Sequence, residues 1–430
     1  MRVKASAPVK NVIDMLMERG FVDQMTSPLL TERAAKPLKL YVGFDPTADS
    51  LHLGNLIGIM ALAWFQRFGH TPYAVIGGAT GRIGDPSGKS MERPFLDEKE
   101  LARNVFSLTC FLQKILQFPH GSQPVIVNNN DWLGKMSLID FLRDTGKHFR
   151  IGPMLQKESV KARLQSEEGM SFTEFSYQLL QGYDFHYLNH HFGVELQLGG
   201  SDQWGNITAG IEFNRKLKEK PIYGLTWPLL VQSDGKKFGK SEKGAVWLTA
   251  EKLSPYQFYQ YLFKILDADV IRLMKMLTFM DLEEIRSIQE SMSQADYVPN
   301  SAQKRLAEEV TRFVHGEEGL KAALRVTAGI QPGTEARLSS AMLQEIAADM
   351  PRTQLAVDEI VGKKFVDLSV RIGLVASKGE GVRLIKNGGA YLNNERIEDV
   401  SFSIEFPHLI DGRYLVMSAG KKKKMLIETL

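Results

Sequence analysis

The amino-acid sequence predicts an α/β fold in which a parallel sheet flanked by helices is followed by a helical region and a small α+β unit. Short apolar runs of strand character alternate with long helical stretches over the first 247 residues. From Ser254 onward, apolar residues recur with a helical period. The last 75 or so residues combine two short amphipathic helices with a hairpin-type turn. Alternating strands and helices are typical of parallel sheets, and the change of pattern predicts separate domains.

Length and composition are those of a globular protein with several domains. The 430 residues exceed one ordinary domain, and 43% of them are hydrophobic while 24% are charged. No apolar run approaches the ~18–20 residues that cross a bilayer, so no membrane partner is expected. The first residues lack the apolar core of a secretory signal, and a trimmed remnant of an organelle-targeting segment is the alternative.

Cysteine content and charge narrow the kinds of site that we expect. Cys110 is the only cysteine, which excludes an internal disulfide and a thiolate zinc cluster and suits a reducing compartment. His190 and His191 have no carboxylate or third ligand at a suitable spacing, so we predict no metal site. The net charge of +3 is small, and a polyanionic partner would therefore have to bind local basic patches.

The first part of the chain predicts the elements of the sheet. Val12, Leu16 and Met17 at helical spacing predict a short N-terminal helix. Apolar runs then predict three strands, with a helix between the first two. The strands are 38–44, 71–78 and 124–128, and the helix is 52–68. Since these elements alternate, we expect parallel strands with a ligand cleft beyond their carboxyl ends.

The rest of the chain predicts a helical domain and a separate C-terminal unit. The helical period runs from Ser254 to about Arg337, and Met350–Thr353 has the composition of a linker. Ser377 is a candidate N-cap of a helix that ends near Lys386, and Asn393-Asn394 predicts a hairpin turn. The predicted division is 1–247, 248–340, a linker over 341–355, and 356–430.

Two short motifs far apart in the sequence predict a binding site for the phosphates of a nucleotide. His52-Leu53-Gly54-Asn55 follows a strand and a polar turn, so the helix that begins there offers backbone N–H groups and a favourable dipole. Lys237-Phe238-Gly239-Lys240-Ser241 places two lysines on a glycine-bearing loop that is able to close over a departing phosphate group. Taken alone, the first motif is an ordinary helix start and the second is a solvated basic loop.

Together with four further segments, these motifs resemble the tyrosyl-tRNA synthetases of the bacterial type, a family of class I aminoacyl-tRNA synthetases. The segments lie in family order over nearly the whole chain. They are Tyr41–Thr47, Gly84–Lys89, Tyr177–Phe185 and Gly199–Asn206. The resemblance implies a Rossmann-like catalytic domain, a helical anticodon-binding domain and a small RNA-binding C-terminal module.

The resemblance also implies an activity and its partners. The expected reaction is ATP-dependent attachment of L-tyrosine to tRNA(Tyr) through a tyrosyl-adenylate, with Mg²⁺ assisting. No side chain has to act as a nucleophile, because the carboxylate of tyrosine attacks the α-phosphate. The family is homodimeric. Its bacterial type implies the cytoplasm, and an organelle matrix is the alternative location.

Each matching residue acquires an expected role from the resemblance. Stabilisation of the triphosphate and the leaving pyrophosphate is expected from Thr47, His52, Lys89, Arg93, Lys237 and Lys240. Tyrosine is expected to contact Tyr41, Asp85, Tyr177, Gln181, Asp184 and Gln203. ATP is expected to contact Gly43, Asp45, Gly54, Asn55, Gly200, Asp202, Leu230, Val231 and Ser241. For Asp45 and Asp202, the amine of tyrosine is the alternative partner to the ribose hydroxyls. RNA is expected to contact Arg371, Arg383, Lys386, Lys421, Lys422 and Lys423.

Two of these positions decide which amino acid is recognised. The family binds the phenol of its substrate with a tyrosine and an aspartate, here Tyr41 and Asp184. Phenylalanine would leave those buried groups unpaired. Without the surrounding match, Tyr41 is a strand core residue and Asp184 a turn acid. Both argue against a tryptophanyl-tRNA synthetase, and the lysines at 237 and 240 argue against a non-catalytic RNA-binding paralogue such as a splicing cofactor.

Two features leave parts of this hypothesis open. Asn55 stands where the family usually has a second histidine, although an asparagine is still able to donate a hydrogen bond toward the ribose side of ATP. Residues 356–430 hold 12 Lys and Arg against 10 Asp and Glu, so a solvated surface is the alternative to RNA contact in the C-terminal unit.

Overall fold

The computed structural model of the chain divides into two compact units. It describes residues 11–87, 96–117, 122–166, 169–235, 238–241, 244–329, 332–333, 338–347, 350–420 and 423–430, with the backbone alone at 158, 159, 240 and 241. The first unit runs to Lys252 and includes Ile265–Phe313, and the second is Leu253–Lys264 with Val314–Leu430. Within the described ranges, no helix combines the length and the apolar character that a bilayer span requires.

A six-stranded sheet forms the centre of the first unit. Its strands are β1 (Gln24–Met25), β2 (Lys39–Phe44), β3 (Thr71–Ile76), β4 (Val125–Asn128), β5 (Leu196–Gly200) and β6 (Tyr223–Trp227). Their order across the sheet is β1-β6-β5-β2-β3-β4, and all neighbours are parallel except β1 and β6. The predicted parallel sheet is therefore confirmed, with an antiparallel edge strand that the sequence pattern did not predict.

The direction in which the chain winds through this sheet reverses between β2 and β5. The chain passes from β2 outward through β3 to β4, and then returns to β5 on the other side and continues to β6. In open parallel sheets, ligands bind outside the carboxyl ends of the strands at such a reversal. The segments that follow β2 and β5 are Asp45–Thr47 and Ser201–Gln203. Both belong to motifs that the sequence analysis singled out.

Helices precede, separate and follow these strands in the sequence. The helices of the first segment are α1 (Val12–Glu18), α2 (Leu29–Arg33), α3 (Leu56–Arg67), α4 (Glu98–Ile115), α5 (Asn130–Leu133), α6 (Leu138–Asp140), α7 (Ile151–Leu155), α8 (Glu158–Leu164), α9 (Phe172–Phe192) and α10 (Trp204–Lys216). A 3₁₀ turn at Leu53–Asn55 leads into α3, so the helix predicted over 52–68 is confirmed. All residues from Leu56 to Gln66 are buried, and α3 is therefore a core helix.

The chain then crosses between the units. A two-stranded ribbon of β7 (Lys240–Ser241) and β8 (Gly244–Ala245) completes the strands of the first unit. The next helices are α11 (Pro255–Phe263) in the second unit, and α12 (Asp267–Leu277) and α13 (Leu282–Ser291) in the first. Helix α14 (Ser301–Gly329) begins in the first unit and ends in the second. It is broken at Gly316, whose φ of +73° is one that glycine adopts readily.

The second unit ends in a five-stranded sheet. Its strands are β9 (Arg352–Leu355), β10 (Ala390–Leu392), β11 (Glu395–Arg396), β12 (Tyr414–Ala419) and β13 (Lys423–Thr429), in the order β11-β10-β12-β13-β9. Its helices are α15 (Ser340–Ala347), α16 (Phe365–Arg371) and α17 (Lys378–Lys386). Phe365, Leu415 and Ile427 are fully buried in a core that this sheet shares with α16 and α17.

Local signals in this unit agree with the structure, whereas the predicted linker does not. The Ser377 hydroxyl accepts a hydrogen bond from Glu380 N at 3.2 Å, and Asn393 and Asn394 have φ of +47° and +73°, as the turn requires. Arg352–Leu355, however, is strand β9 and lies parallel to β13, where we expected a linker. A four-residue edge strand that directly follows a proline has the composition of a loop, and its partner is about 70 residues away. The other domain boundaries stay predictions.

Candidate active site

The two motifs that were predicted to bind phosphates meet in the first unit. Leu53 N donates to Val246 O at 2.7 Å, and Val246 N donates to Gly239 O at 2.9 Å. The backbone of Gly239 passes so close to the first motif that a Cβ there would lie 2.9 Å from Gly54 N. Its φ of +80° also favours glycine. Gly239 therefore lets the lysine loop reach the start of the helix that carries His52.

The first motif closes on itself through its own side chains. Gly54 N donates to His52 Nδ1 at 3.1 Å, and His52 N donates to Asn55 Oδ1 at 3.0 Å. Since Nδ1 of His52 is an acceptor, the proton of the neutral ring lies on Nε2. His52 is exposed, so its ring is accessible to a ligand.

Asn55 therefore has a structural use that the sequence analysis did not include. We predict that Asn55→His remains active, with kcat and KM for ATP changing by less than about tenfold. The imidazole still supplies a donor, and loss of the capping contact from Asn55 to His52 N is worth ~1 kcal/mol, or about fivefold. Tyrosine-dependent exchange of pyrophosphate into ATP measures both constants, and complete loss of exchange would contradict the prediction.

A buried carboxylate lies at the centre of the predicted tyrosine site. Helix α9 begins at Ser171, whose hydroxyl caps it by accepting from Glu174 N, and it carries Asp184 into the interior. Asp184 Oδ2 accepts from Asn129 Nδ2 at 2.9 Å, and Oδ1 accepts from Trp132 Nε1 at 2.7 Å. Burial raises the pKa of Asp184 to about 7, although both hydrogen bonds oppose the shift.

Tyr41 offers this site a hydroxyl that has no partner among the described residues. The residue lies on the central strand β2 and is 2% exposed, and no described residue accepts from or donates to its hydroxyl. Its ring packs edge-on against Phe185 with the centroids 5.3 Å apart. Burial, and then the charge of Asp184, raise the pKa of the Tyr41 phenol, which therefore stays protonated. A buried hydroxyl without a partner costs ~1–3 kcal/mol, which a polar ligand group would recover.

A chain of hydrogen bonds leads from Asp184 to a second carboxylate. Asn129 Nδ2 also donates to Thr80 Oγ1 at 2.9 Å, and Thr80 Oγ1 donates to Asp45 Oδ1 at 2.8 Å. The Tyr177 hydroxyl donates to Asp45 Oδ2 at 2.8 Å. Asp45 was predicted to contact either the ribose of ATP or the amine of tyrosine, and the structure groups it with the residues predicted to contact tyrosine.

A third carboxylate belongs to a cluster of amides. Gln203 Nε2 donates to Asp85 Oδ2 at 2.7 Å, and Asn206 Nδ2 donates to Gln181 Oε1 at 3.1 Å. Gln181 Nε2 in turn donates to Gln203 Oε1 at 3.4 Å. Burial, and then the charges of Asp45 and Asp85, raise the pKa of Tyr177. The charges of two carboxylates therefore act at Tyr177, which is an environment suited to an ammonium group.

The end of the sheet beside this pocket is open. Gly43 is exposed on the central strand β2, and a Cβ there would meet no atom within 4 Å. On the neighbouring strand, a Cβ on Gly200 would lie 2.5 Å from Asp202 Oδ1. Leu230 is half-buried and Val231 is 42% exposed. Small residues on two adjacent strand ends leave a surface that a nucleotide is able to approach closely.

Several predicted site residues are only partly accounted for. Thr47 is exposed, and its N–H donates to Asp45 O at 2.9 Å in the turn after β2. Lys89, Arg93, Lys237, Lys421 and Lys422 lie outside the described residues, as do the side chains of Lys240 and Ser241.

Sequence reasoning missed the residues that hold Asp184. Asn129 and Trp132 follow strand β4 directly, and the ring of Trp132 stacks on Tyr187 with the centroids 4.5 Å apart. The signal that could have indicated Asn129 was the run Asn128-Asn129-Asn130, which stands at the carboxyl end of a predicted strand. Asn206, at the start of α10, was quoted in a matching segment without a role.

The residues predicted to contact RNA fall into two groups in the second unit. Arg371 is ion-paired with Glu359. Arg383, Lys386 and Lys423 are exposed. Arg371 is exposed as well, so the first group is set apart by this ion pair and not by burial.

Two family models match the chain. The model described as "tRNA synthetases class I (W and Y)" matches residues 33–330. The model described as "Tyrosine--tRNA ligase SYY-like C-terminal domain" matches residues 342–427. Because the first match covers more than half of the chain, it defines the class of the protein, which is that of the class I tRNA synthetases.

Similar proteins narrow this class. "Tyrosine--tRNA ligase" of Protochlamydia amoebophila is 57% identical over 421 residues, which cover 98% of this chain and 99% of that protein. "Tyrosine--tRNA ligase, chloroplastic/mitochondrial" of Arabidopsis thaliana is 53% identical over 426 residues, which cover 97% of this chain and 83% of that protein. A solved structure of a C-terminally truncated Aspergillus nidulans mitochondrial tyrosyl-tRNA synthetase has a TM-score of 0.64 at 32% identity, covering 73% of this chain and 92% of that chain. The chain belongs to the tyrosine--tRNA ligase family, as its motifs predict.

Proposed function

We propose that this protein attaches L-tyrosine to tRNA(Tyr) in an ATP-dependent reaction with a tyrosyl-adenylate intermediate. The observation that carries the proposal is the buried Tyr41 hydroxyl, which has no hydrogen-bond partner among the described residues. The charge of buried Asp184 acts on this hydroxyl and contributes to its raised pKa. The hydroxyl of a bound tyrosine would supply the missing partner. A phenylalanine side chain would leave the polar groups of this pocket unpaired, and the pocket therefore selects tyrosine.

The other end of the substrate fits the second and third carboxylates. Asp45 and Asp85 are held by Tyr177 and Gln203 at 2.8 and 2.7 Å. A tyrosine whose phenol lies at Asp184 would place its ammonium group toward these two acids. Gln181 completes the ring of oxygens around the cation. This orientation leaves the carboxylate of tyrosine facing the open strand ends at Gly43 and Gly200.

Activation then requires positioning more than covalent help from the protein. An oxygen of the tyrosine carboxylate attacks the α-phosphorus of ATP, the bond from that phosphorus to the bridging oxygen breaks, and pyrophosphate leaves. The proposed donors to the phosphates are Thr47, His52, Lys89, Arg93, Lys237 and Lys240. Charge that builds on the leaving group is stabilised by these cations and N–H groups. The neutral ring of His52 carries its proton on Nε2, which makes it a donor as this role requires.

Mg²⁺ enters this scheme as part of the MgATP substrate. Among the described residues, no group of three histidine, cysteine or acidic side chains has the geometry of a metal site. Mg²⁺ usually binds through phosphate oxygens and water with few protein ligands, and the donor set of this cleft fits that mode. The ion would neutralise charge on the triphosphate.

The second unit is proposed to bind the tRNA. The Arg396 guanidinium lies so close over Gly388, just after α17, that a Cβ there would clash. Gly420 N donates to Gly389 O at 2.7 Å, so the chain just after β12 lies beside the same segment. One end of the module therefore gathers four exposed basic side chains, which are Arg383, Lys386, Arg396 and Lys423. Such a cluster suits phosphate groups despite the small net charge of the unit.

The whole reaction is tested by tRNA charging. The purified chain, MgATP, bulk bacterial tRNA and radiolabelled tyrosine are expected to give acid-precipitable label that requires ATP. A terminal ribose hydroxyl of the tRNA takes the acyl group and AMP leaves. Label from tryptophan but not from tyrosine would contradict the proposed substrate, and label from neither would contradict the reaction.

We propose that the protein acts as a homodimer, and an exposed apolar segment supports this. Between α6 and the start of α9, large apolar side chains are unusually exposed. They are Leu138 at 70%, Ile139 at 69%, Ile151 at 64%, Leu164 at 49% and Phe172 at 78%. Clustered exposed apolar residues are typical of protein interfaces. A second copy of the chain would bury the same segment on both subunits.

We predict that Phe172→Asp converts a dimer into a monomer. A buried unpaired carboxylate at the interface costs several kcal/mol per subunit, which is enough to separate the subunits at micromolar concentration. Sedimentation equilibrium of the unaltered chain and the variant measures this. Phe106→Asp is the matched control, because Phe106 is 70% exposed on α4 and outside the segment. A dimeric Phe172→Asp variant would contradict the proposed interface.

The proposed location is either the cytoplasm or an organelle matrix. Tyrosine charging is needed wherever translation takes place, and the lone cysteine suits a reducing compartment. Fluorescence microscopy of the tagged chain in its own cells distinguishes the two locations directly.

A further inference from the structure

The start of the loop that carries Lys237 and Lys240 is held by a residue from a different part of the first unit. Asp269 lies in the first turn of α12 and is buried. Its Oδ2 accepts from Ser233 N at 2.9 Å and from Ser233 Oγ at 3.0 Å. Ser233 stands four positions before Lys237. One carboxylate oxygen thus fixes both the backbone and the side chain of the residue at which the loop begins.

The second oxygen of Asp269 extends this contact. Asp269 Oδ1 accepts from Arg272 Nη2 at 3.0 Å, and the same Nη2 donates to the carbonyl of Val231. The carboxylate is therefore paired with a cation, as a buried charge requires. Val231 and Ser233 lie four and six residues after the end of β6, on the segment that leads into the loop. We call Asp269, Arg272 and their contacts to Val231 and Ser233 the loop anchor.

Both ends of the loop are consequently fixed to rigid elements. The loop anchor fixes its start to α12, and the contact between Gly239 and Gly54 fixes its end to the first motif. A cavity of about 440 Å³ lies against Arg272, lined also by Leu229, Leu230 and Met276. Arg272 therefore borders this cavity, whereas Asp269 itself is buried.

We propose that Asp269 is a positioning residue for adenylate formation, which acts by holding the loop that carries Lys237 and Lys240. The inference rests on the proposed function, because those lysines are taken to stabilise the leaving pyrophosphate. Asp269 itself touches neither tyrosine nor ATP in this scheme. It fixes where the lysines are when charge develops on the phosphate, and small displacements of such groups are costly in rate.

The test compares four variants in tyrosine-dependent pyrophosphate exchange and in tyrosine binding without ATP. Asp269→Ala is expected to lower kcat by roughly 10- to 100-fold, with the Kd of tyrosine unchanged within twofold. Asp267→Asn is the matched control. Asp267 lies on the same turn of α12 but accepts from Gln303 Nε2 at 2.6 Å, and its exchange rate is expected to stay within twofold. Lys240→Ala and the double variant Asp269→Ala/Lys240→Ala complete the set.

The double variant decides whether Asp269 acts through the loop. If it does, removing Asp269 from a chain that already lacks Lys240 costs less than removing it from the unaltered chain. Additive losses, an unchanged Asp269→Ala rate, or loss of tyrosine binding together with rate would each overturn the proposal. If Asp269→Ala does not fold, Asp269→Asn gives the same comparison with the side-chain volume kept. Failure of the proposed function differs from all of these, because the unaltered chain would then show no exchange with tyrosine.

Discussion

Asp184→Ala is expected to lower kcat/KM for tyrosine activation by roughly 10²- to 10⁴-fold. The change would leave the hydroxyl of the substrate without its proposed acceptor. It also removes the acceptor of the Trp132 indole N–H and one of the two acceptors of Asn129. Each unpaired buried group costs ~1–3 kcal/mol, and every 1.4 kcal/mol is about tenfold. Pyrophosphate exchange at varied tyrosine concentration measures the loss, which is expected mainly in KM.

The conservative variant separates polarity from volume. Asp184→Asn keeps the shape of the side chain and one carbonyl acceptor, so its loss is expected to be smaller than that of alanine. Circular dichroism of both variants should match that of the unaltered chain. An Asp184→Ala variant with normal kcat/KM for tyrosine would remove Asp184 from the substrate site.

A chain that ends between Ala347 and Pro351 is expected to keep tyrosine-dependent pyrophosphate exchange and to lose tRNA charging by roughly 10²-fold or more. Such a cut removes β9 together with the sheet to which it belongs and the four basic residues at its end. The proposed tyrosine and ATP contacts all precede the cut. Exchange and charging, measured on the same preparation, separate the two halves of the function.

Salt dependence identifies the reason for this loss. Affinity of the intact chain for tRNA is expected to fall with salt, and the truncated chain should show a shallower slope because fewer counterions are released. In the intact chain, combined alanine substitution of Arg383, Lys386, Arg396 and Lys423 should flatten the slope similarly. Arg413→Ala is the control, since Arg413 is ion-paired with Glu428 at 2.7 Å. Normal charging by the truncated chain would refute RNA binding by the module.

Strand ends and local caps were predictable from the sequence, because their signals are local. The turn at Asn393-Asn394 and the cap at Ser377 depend on neighbouring residues alone. The gathering of Asp45, Asp85 and Asp202 near one sheet edge follows from parallel strands whose carboxyl ends meet there. The apolar runs at β2 and β3 were sufficient to predict that edge.

Contacts between distant residues were not predictable in the same way. Asn129 links Asp184 to Thr80, and nothing in the sequence around Asn129 indicates which carboxylate it reaches. Asp269 reaches Ser233 across the interval that includes helix α11. Strand β9 exists only because β13 offers an edge. Each of these three contacts forms only once the fold brings the partners together. The local composition around Asn129, Asp269 or β9 does not indicate which distant residue is the partner.

Pyrophosphate exchange with three amino acids tests the central claim most directly. The purified chain, MgATP and labelled pyrophosphate are incubated with tyrosine, phenylalanine or tryptophan at equal concentrations. Recognition of the phenol by Tyr41 and Asp184 predicts exchange with tyrosine and rates near background with the other two. Comparable exchange with phenylalanine or tryptophan would contradict the account of this pocket.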